Sequence, residues 1–122
     1  METPISVLIV DDSMVSRMMV RGFINQFCPE WTIIEAKSGD DALTKIAQTN
    51  PSLVIMDINM PGMDGFEAAA KITAICPQTR IAFLTGNIQD SSKSRAEKMG
   101  HGFVEKPVTP ESFAKLKAFM AQ

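Results

Sequence analysis

The stretch Leu53-Val54-Ile55-Met56-Asp57 decides the fold of this chain. Four consecutive apolar residues predict a strand that is buried on both faces, like the strands of a parallel sheet covered by helices. Asp57 ends this strand and is followed by turn-forming residues over 59–65, so its carboxylate is expected at the rim of the sheet. Open α/β folds bind their ligands at this rim. Asp57 is therefore the first candidate for a functional residue.

Strand-like runs alternate with helical patterns along the whole chain. The predicted strands span 5–10, 31–36, 52–57, 79–85 and 101–105. The predicted helices lie near 13–27, 38–48, 64–75, 90–99 and 110–121. Strict alternation with right-handed crossovers predicts an α/β fold with a parallel sheet covered on both faces. A length of 122 residues fits a single domain, 1–122.

Two of the predicted helices carry specific expectations. The first has an apolar stripe with the i, i+3, i+4 spacing of a core-facing surface. Its members are Val15, Met18, Met19, Gly22, Phe23 and Phe27. The fourth helix offers only Ile88, Ala96 and Met99 to the core. With so little apolar area it is either a solvated surface helix or a movable element that reports the state of the rim.

Charge and hydropathy argue against two classes of partner. The net charge is −2 and no block of five or six like charges occurs, so we expect no direct contact with nucleic acid. No apolar stretch approaches the roughly 18–20 residues that cross a bilayer. The start, Met1-Glu2-Thr3-Pro4, does not have the pattern of a signal peptide. We therefore expect a cytoplasmic protein without a membrane partner.

Polar side chains follow four of the predicted strands. They are Asp11 and Asp12, Asp57, Thr85, and Lys106. Taken singly, each has an ordinary explanation, such as a helix cap, a turn or a surface charge. Their joint occurrence is more informative, because the carboxyl ends of parallel strands share one edge of the sheet. Three carboxylates at one edge raise at least one pKa unless a cation compensates.

The chemistry of such a rim can be read from its groups. Carboxylate oxygens suit a hard divalent cation, and Mg2+ fits a few carboxylates plus waters. A divalent ion, the Lys106 ammonium and the Thr85 hydroxyl are the groups that stabilise a transferring phosphoryl group. The remaining carboxylate can act as the nucleophile and form an aspartyl phosphate.

The chain resembles the receiver domain of two-component response regulators. The resemblance extends from Ile5 to the last helix, with matching motifs in the expected order and spacing. These are VLIVDDS (7–13), VIMDINMPGMDG (54–65), FLTG (83–86) and FVEKP (103–107). It implies a flavodoxin-like (βα)5 three-layer sandwich whose parallel five-stranded sheet has the order 2-1-3-4-5.

The resemblance also implies how the metal and the phosphoryl group are held. Asp57 is the phosphoacceptor, and Asp12 and Asp57 are direct Mg2+ ligands. Asp11 acts through a bound water, and Asn59 contributes its backbone carbonyl. Mn2+ is expected to substitute for Mg2+. Lys106 binds the phosphoryl group.

Further positions match the switching and access residues of the family. Thr85 corresponds to the switch hydroxyl, and Phe103 to the aromatic that moves inward behind it. Gly86 leaves Asp57 open to a phosphodonor, and Asn59 and Asn87 flank the path of the hydrolytic water. The peptide bond before Pro107 is expected to be cis.

The implied function is that of a signalling phosphoacceptor, which catalyses only its own phosphorylation and dephosphorylation. A histidine kinase or a histidine phosphotransfer protein supplies the phosphoryl group. The surface of the fourth helix, fifth strand and fifth helix then changes and binds a downstream protein. The expected state is a monomer, with phosphorylation-dependent dimerisation as the alternative.

Several outputs stay open. The chain fits a single-domain, chemotaxis-type regulator, a phosphorelay intermediate or phosphate sink, or the receiver part of a longer regulator. Among other classes, a phosphatase of the haloacid dehalogenase type expects a second Asp where Asn59 stands. A flavodoxin-like flavin binder needs amides and hydroxyls where Asp11 and Asp12 follow the first strand.

Overall fold

The computed structural model describes residues 5–86 and 90–120, which form five strands alternating with five helices. The strands are β1 Ser6–Val10, β2 Thr32–Ala36, β3 Leu53–Met56, β4 Arg80–Thr85 and β5 Gly102–Glu105. The helices are α1 Met14–Phe27, α2 Gly39–Thr49, α3 Gly65–Ile75, α4 Asp90–Lys98 and α5 Pro110–Met120. The predicted alternation is confirmed, and each bound lies within one residue of its predicted place.

The strands form one parallel sheet with the order β2-β1-β3-β4-β5, as predicted. Because β1 lies between β2 and β3, the loops after β1 and β3 leave the sheet side by side. The register pairs Val10 with Met56. Asp11 and Asp57, the residues that directly follow β1 and β3, therefore leave the sheet at the same level.

Helices cover both faces of the sheet and complete the predicted three-layer sandwich. One face packs against α2, α3 and α4 through buried helix residues, namely Ala42, Ile46, Ala68, Ala69, Ile72 and Ala96. The other face packs against α1 and α5 through Val20, Ile24, Phe113 and Leu116. The strand between them is buried on both sides, since Leu53, Val54, Ile55 and Met56 are at most 1% exposed. Asp57 directly follows this buried strand.

The predicted core-facing stripe of α1 is wrong. Val15 is 65% exposed, Met18 61% and Met19 42%, while the buried residues of α1 are Val20 and Ile24. Phe23 is partly buried against the core, as predicted, but Gly22 and Phe27 are exposed. The helix is apolar on two sides, so periodicity could not identify the side that meets the sheet. An apolar surface is left open on α1.

Helix α4 is held by few apolar contacts, as its sequence predicts. Ala96 is fully buried, and Met99, which follows the helix, is partly buried against the same core. The Arg95 guanidinium lies over the Phe66 ring at 4.2 Å. Ile88 lies outside the described residues. No helix in 5–86 and 90–120 is long and apolar enough to cross a membrane.

Candidate functional site

Three carboxylates meet at the carboxyl edge of the sheet. Asp11, Asp12 and Asp57 each place an oxygen within 4.8 Å of the others. Asp11 is 3% exposed and Asp57 6%, whereas Asp12 is open to solvent. The cluster therefore combines two carboxylates that the fold withdraws from water with one that faces it.

Lys106 brings an ammonium group to this cluster from the loop after β5. Its Nζ lies 2.7 Å from Asp11 Oδ2 and 3.5 Å from Asp57 Oδ1. The Lys106 side chain is 22% exposed, and the peptide bond between Lys106 and Pro107 is cis. Lys106 pairs with two of the three carboxylates, so these four side chains together carry an excess of negative charge.

The electrostatics of Asp57 reflect this excess. Burial and the neighbouring Asp11 raise the pKa of Asp57 to about 6, against the lowering effects of Lys106 and of the Asn59 N–H, which donates to the carboxylate. A divalent cation would relieve the repulsion. The cluster offers carboxylate oxygens and neither sulfur nor imidazole, which fits Mg2+ or Mn2+.

Backbone hydrogen bonds fix the two loops that carry the carboxylates. The Asp11 N–H donates to Ala36 O at 3.1 Å, and the Asp57 N–H donates to Val10 O at 2.9 Å. Asp11 Oδ1 accepts from the N–H of Ser13, the residue that caps α1, at 2.9 Å. The backbone of each loop is thus tied to a neighbouring strand, and the Asp11 carboxylate is also tied to the start of α1.

The start of α3 closes against the other side of Asp57. Asp64 caps the helix by accepting from the Glu67 N–H at 2.9 Å. The Gly65 N–H donates to Ile58 O at 2.8 Å. A Cβ at Gly65 would lie 2.2 Å from Asp57 O, so only glycine fits this approach.

The other predicted site residues lie around the same edge. Thr85 is fully buried at the end of β4, and its carbonyl accepts from the Lys106 N–H at 2.8 Å. Gly86 is exposed, and a Cβ there would meet Lys106 Cβ at 3.8 Å. Phe103 on β5 is partly buried against the core. Asn59 is exposed, and Asn87 lies outside the described residues.

Arg17 is a residue at the site that sequence reasoning missed. Its Nη1 donates to the backbone carbonyl of Asp11 at 2.6 Å, and its Nε donates to Glu35 Oε1 at 3.0 Å. A basic residue one turn into a helix gives no sequence signal of its own. Arg17 lies six residues after Asp11. This spacing indicates a contact only when the strand order, which brings Glu35 next to Arg17, is also known.

We expect Lys106→Met to destabilise the metal-free protein at pH 7 by about 1–3 kcal/mol, because it leaves buried carboxylates without their ammonium partner. Urea unfolding in a chelating buffer measures this change. The loss should shrink at pH 5, where Asp57, whose pKa is about 6, takes up a proton. Lys71→Met, on the exposed side of α3, is the matched control. Equal losses at both pH values would contradict the charge-pair explanation.

Comparison with known proteins connects this site to a family. The sequence profile of the response regulator receiver domain matches residues 7–117. The chain is 35% identical over 104 residues to the chemotaxis protein CheY of Listeria monocytogenes, covering 84% of this chain and 87% of that protein. It is also 35% identical over 104 residues to the autoinducer 1 sensor kinase/phosphatase LuxN of Vibrio campbellii. That match covers 85% of this chain but spans only 12% of LuxN.

The solved structures agree with this assignment. The chemotaxis protein CheY4 of Vibrio cholerae superposes with a TM-score of 0.84 and 29% sequence identity, covering 95% of this chain and 98% of that one. The range that matches the family profile, 7–117, contains every element from most of β1 to most of α5 and all three clustered carboxylates. The chain therefore belongs to the response regulator receiver domain family.

Proposed function

We propose that residues 1–122 act as one receiver domain that accepts a phosphoryl group on Asp57. The family is one of signalling phosphoacceptors, and this chain is a receiver of the CheY type. The observation that carries the proposal is the Asp57 carboxylate, which is 6% exposed beside two further carboxylates and the Lys106 ammonium. The reaction is the domain's own phosphorylation and dephosphorylation, without an external substrate to turn over.

In the proposed reaction, Asp57 supplies the nucleophilic oxygen. One of its carboxylate oxygens forms a bond to phosphorus, while the bond from phosphorus to the imidazole nitrogen of a phosphohistidine breaks and its electron pair stays on that nitrogen. The Lys106 ammonium and the Thr85 hydroxyl then face the oxygens of the bound phosphoryl group. The open position of Gly86 leaves a path for the donor.

Asp12, Asp57 and the Asn59 carbonyl would hold Mg2+ directly, and Asp11 through a water. The ion supplies charge neutralisation on the phosphoryl oxygens. A bound ion would also relieve the repulsion between the three carboxylates, whose nearest oxygens lie within 4.8 Å of one another. We expect Mn2+ to serve in its place.

We propose that the phosphodonor, a histidine kinase or a histidine phosphotransfer protein, docks on α1. The exposed side chains of Val15, Met18 and Met19 are spaced i, i+3, i+4 and so share one side of the helix. A cavity of about 180 Å3 between Met19 and Pro107 continues this side towards Lys106. Exposed apolar patches of this kind mark interaction sites.

The output surface is proposed to lie on α4, β5 and α5. Phosphorylation moves Thr85 towards the phosphoryl group and Phe103 into the space behind it, and this change alters the surface. A cavity of about 460 Å3 lies here, lined by residues that include Phe103, Glu111 and Lys115. We propose that a downstream protein, and not nucleic acid, binds at this surface of a cytoplasmic monomer.

Two outputs are favoured by specific matches. The coverage of CheY, 87% of its length, favours a single-domain regulator of the chemotaxis type. The match to a 12% segment of LuxN favours a receiver within a longer signalling protein or a phosphorelay. Phosphorylation-dependent affinity for a motor protein supports the first output, and phosphoryl exchange with a histidine phosphotransfer protein supports the second.

Incubation with acetyl phosphate tests the phosphoacceptor proposal. We expect intact-mass spectrometry to show a gain of one phosphoryl group that requires Mg2+ or Mn2+ and disappears with a chelator. Beryllofluoride binding, measured on the same sample, separates fast hydrolysis from a failure to react. Absence of both the adduct and beryllofluoride binding would contradict the proposal.

A further inference from the structure

Arg17 connects three parts of the molecule at the edge that carries the acidic cluster. It lies in α1, its Nη1 donates to Asp11 O in the loop after β1, and its Nε donates to Glu35 Oε1 on β2. The Arg17 side chain is only 15% exposed. Arginine is seldom buried unless its charge is paired. Its position therefore depends on these two contacts.

The carbonyl that Arg17 contacts belongs to the peptide bond between Asp11 and Asp12. The other polar groups of Asp11 are held by Ala36 O, by the Ser13 N–H and by Lys106 Nζ. Asp12 is exposed, so its direction depends on the peptide plane that precedes it. A hydrogen bond to the oxygen of this plane fixes the plane and restricts where the Asp12 carboxylate points.

Glu35 in turn holds Arg17 in place. The Glu35 carboxylate takes Arg17 Nε on one oxygen and Arg21 Nη1 on the other, at 3.0 Å and 2.9 Å. The Glu35 carbonyl accepts from Lys45 Nζ of α2. Ordering a free arginine side chain costs conformational entropy, and the bond to Glu35 removes this cost from the metal-binding step.

We propose that Arg17, anchored by Glu35, is a positioning residue that pre-orders the Asp11–Asp12 peptide for binding of the divalent cation. This inference rests on the proposed function, because it assigns a role in loading the same site. Arg17 contacts neither the ion nor the phosphoryl group in this scheme. It acts through a backbone carbonyl and so sets the affinity of the site.

Charge and position make opposite predictions for this residue. If Arg17 acted only through its charge, removal of a cation beside three carboxylates would strengthen binding of a divalent ion. If Arg17 positions Asp12, removal of Arg17 weakens binding of the ion. The free-energy cost of ordering the Asp11–Asp12 loop then falls on the binding step. Mutation of a group that holds a metal ligand in place commonly lowers the affinity for the metal by about 10–100-fold. The sign of the change therefore separates the two roles.

Arg17→Met and Arg21→Met form a matched pair. Both remove one positive charge and one ion pair with Glu35, but only Arg17 reaches Asp11. Titration with MnCl2, followed by the electron paramagnetic resonance signal of free Mn2+ and by competition with Mg2+, gives the dissociation constants. We expect the dissociation constant for Mn2+ to be roughly tenfold larger in Arg17→Met than in the wild type. We expect the dissociation constant of Arg21→Met to stay within about twofold of the wild-type value, because this variant keeps the contact between Arg17 and Asp11.

Arg17→Lys is a conservative variant that separates the effect of the positive charge from the effect of the two hydrogen bonds. Lysine keeps the positive charge but cannot reach both acceptors with a fixed fork, so we expect weaker Mn2+ binding here as well. Circular dichroism at the titration temperature verifies that each variant is folded. Unchanged or tighter binding in Arg17→Lys, or equal weakening in Arg17→Met and Arg21→Met, would overturn the inference. A wild type without Mn2+ or Mg2+ binding would instead overturn the proposed function.

Discussion

The Asp57→Asn variant is expected to gain no phosphoryl group from acetyl phosphate and, without divalent ions, to unfold at a higher temperature than the wild type. The first effect follows because the amide is not a nucleophile towards phosphorus at neutral pH. The second follows because the wild-type carboxylate is 6% exposed in a cluster of negative charge. An asparagine has nearly the same shape and removes that charge.

The sign and size of the stability change follow from the pKa of Asp57. The pKa is about 6 in the folded protein and 3.8 for an ordinary aspartate. Between these values the folded protein binds more protons than the unfolded chain, so wild-type stability falls as the pH rises from about 4 to about 6. Above that window the cost is at most about 3 kcal/mol. This corresponds to roughly 10 °C in the unfolding midpoint of a domain this size.

Thermal unfolding between pH 4 and pH 8 in a chelating buffer tests this expectation. The wild type and Asp57→Asn should have similar stability near pH 4 and diverge as the pH approaches 7. Asp64→Asn is the matched control, because it makes the same chemical change at an exposed helix cap. Mg2+ should raise the midpoint of the wild type and of Asp64→Asn far more than that of Asp57→Asn. A variant that is less stable than the wild type at pH 8 would contradict the argument.

The rim of the site could be predicted because each of its residues ends a strand or lies within two residues of a strand end. Apolar runs locate the strand ends to within one residue, and a parallel sheet collects those ends at one edge. The apolar runs do not indicate which charged groups contact one another. The Lys106 ammonium lies nearer to Asp11, at 2.7 Å, than to the proposed phosphoacceptor, at 3.5 Å. That difference depends on the loop after β5, where periodicity carries no information.

Two features of α1 show where sequence reasoning fails. The helix is apolar on two sides, and only packing against the sheet selects Val20 and Ile24 over Val15 and Met18. Arg17 is reached by Glu35, which is 18 positions away and becomes a neighbour through the pairing of β1 with β2. Local patterns describe contacts within one helix turn or one strand. Contacts that depend on sheet order need the fold first.

Gly65→Ala is expected to destabilise the protein by about 3 kcal/mol or more, although alanine favours helices over glycine by about 1 kcal/mol. The added Cβ would lie 2.2 Å from Asp57 O and 2.8 Å from Ile58 Cα, closer than non-bonded Cβ atoms approach. Both obstacles are backbone atoms, so no rotamer change relieves them. Relief requires α3 to move away from the Asp57–Ile58 peptide, which breaks the Gly65 N–H bond to Ile58 O.

Gly22→Ala is the control that isolates this clash. Gly22 is an exposed residue inside α1 with nothing within 4 Å of a Cβ, so its substitution should stabilise the protein by about 0.5–1 kcal/mol. Urea unfolding of the two variants should therefore give changes of opposite sign. Because the clash displaces Asp57, the proposed phosphoacceptor, the folded fraction of Gly65→Ala should also bind Mn2+ and accept phosphoryl groups more weakly. A Gly65→Ala protein as stable as Gly22→Ala would mean that α3 does not pack closely against the Asp57 backbone, which would contradict this explanation.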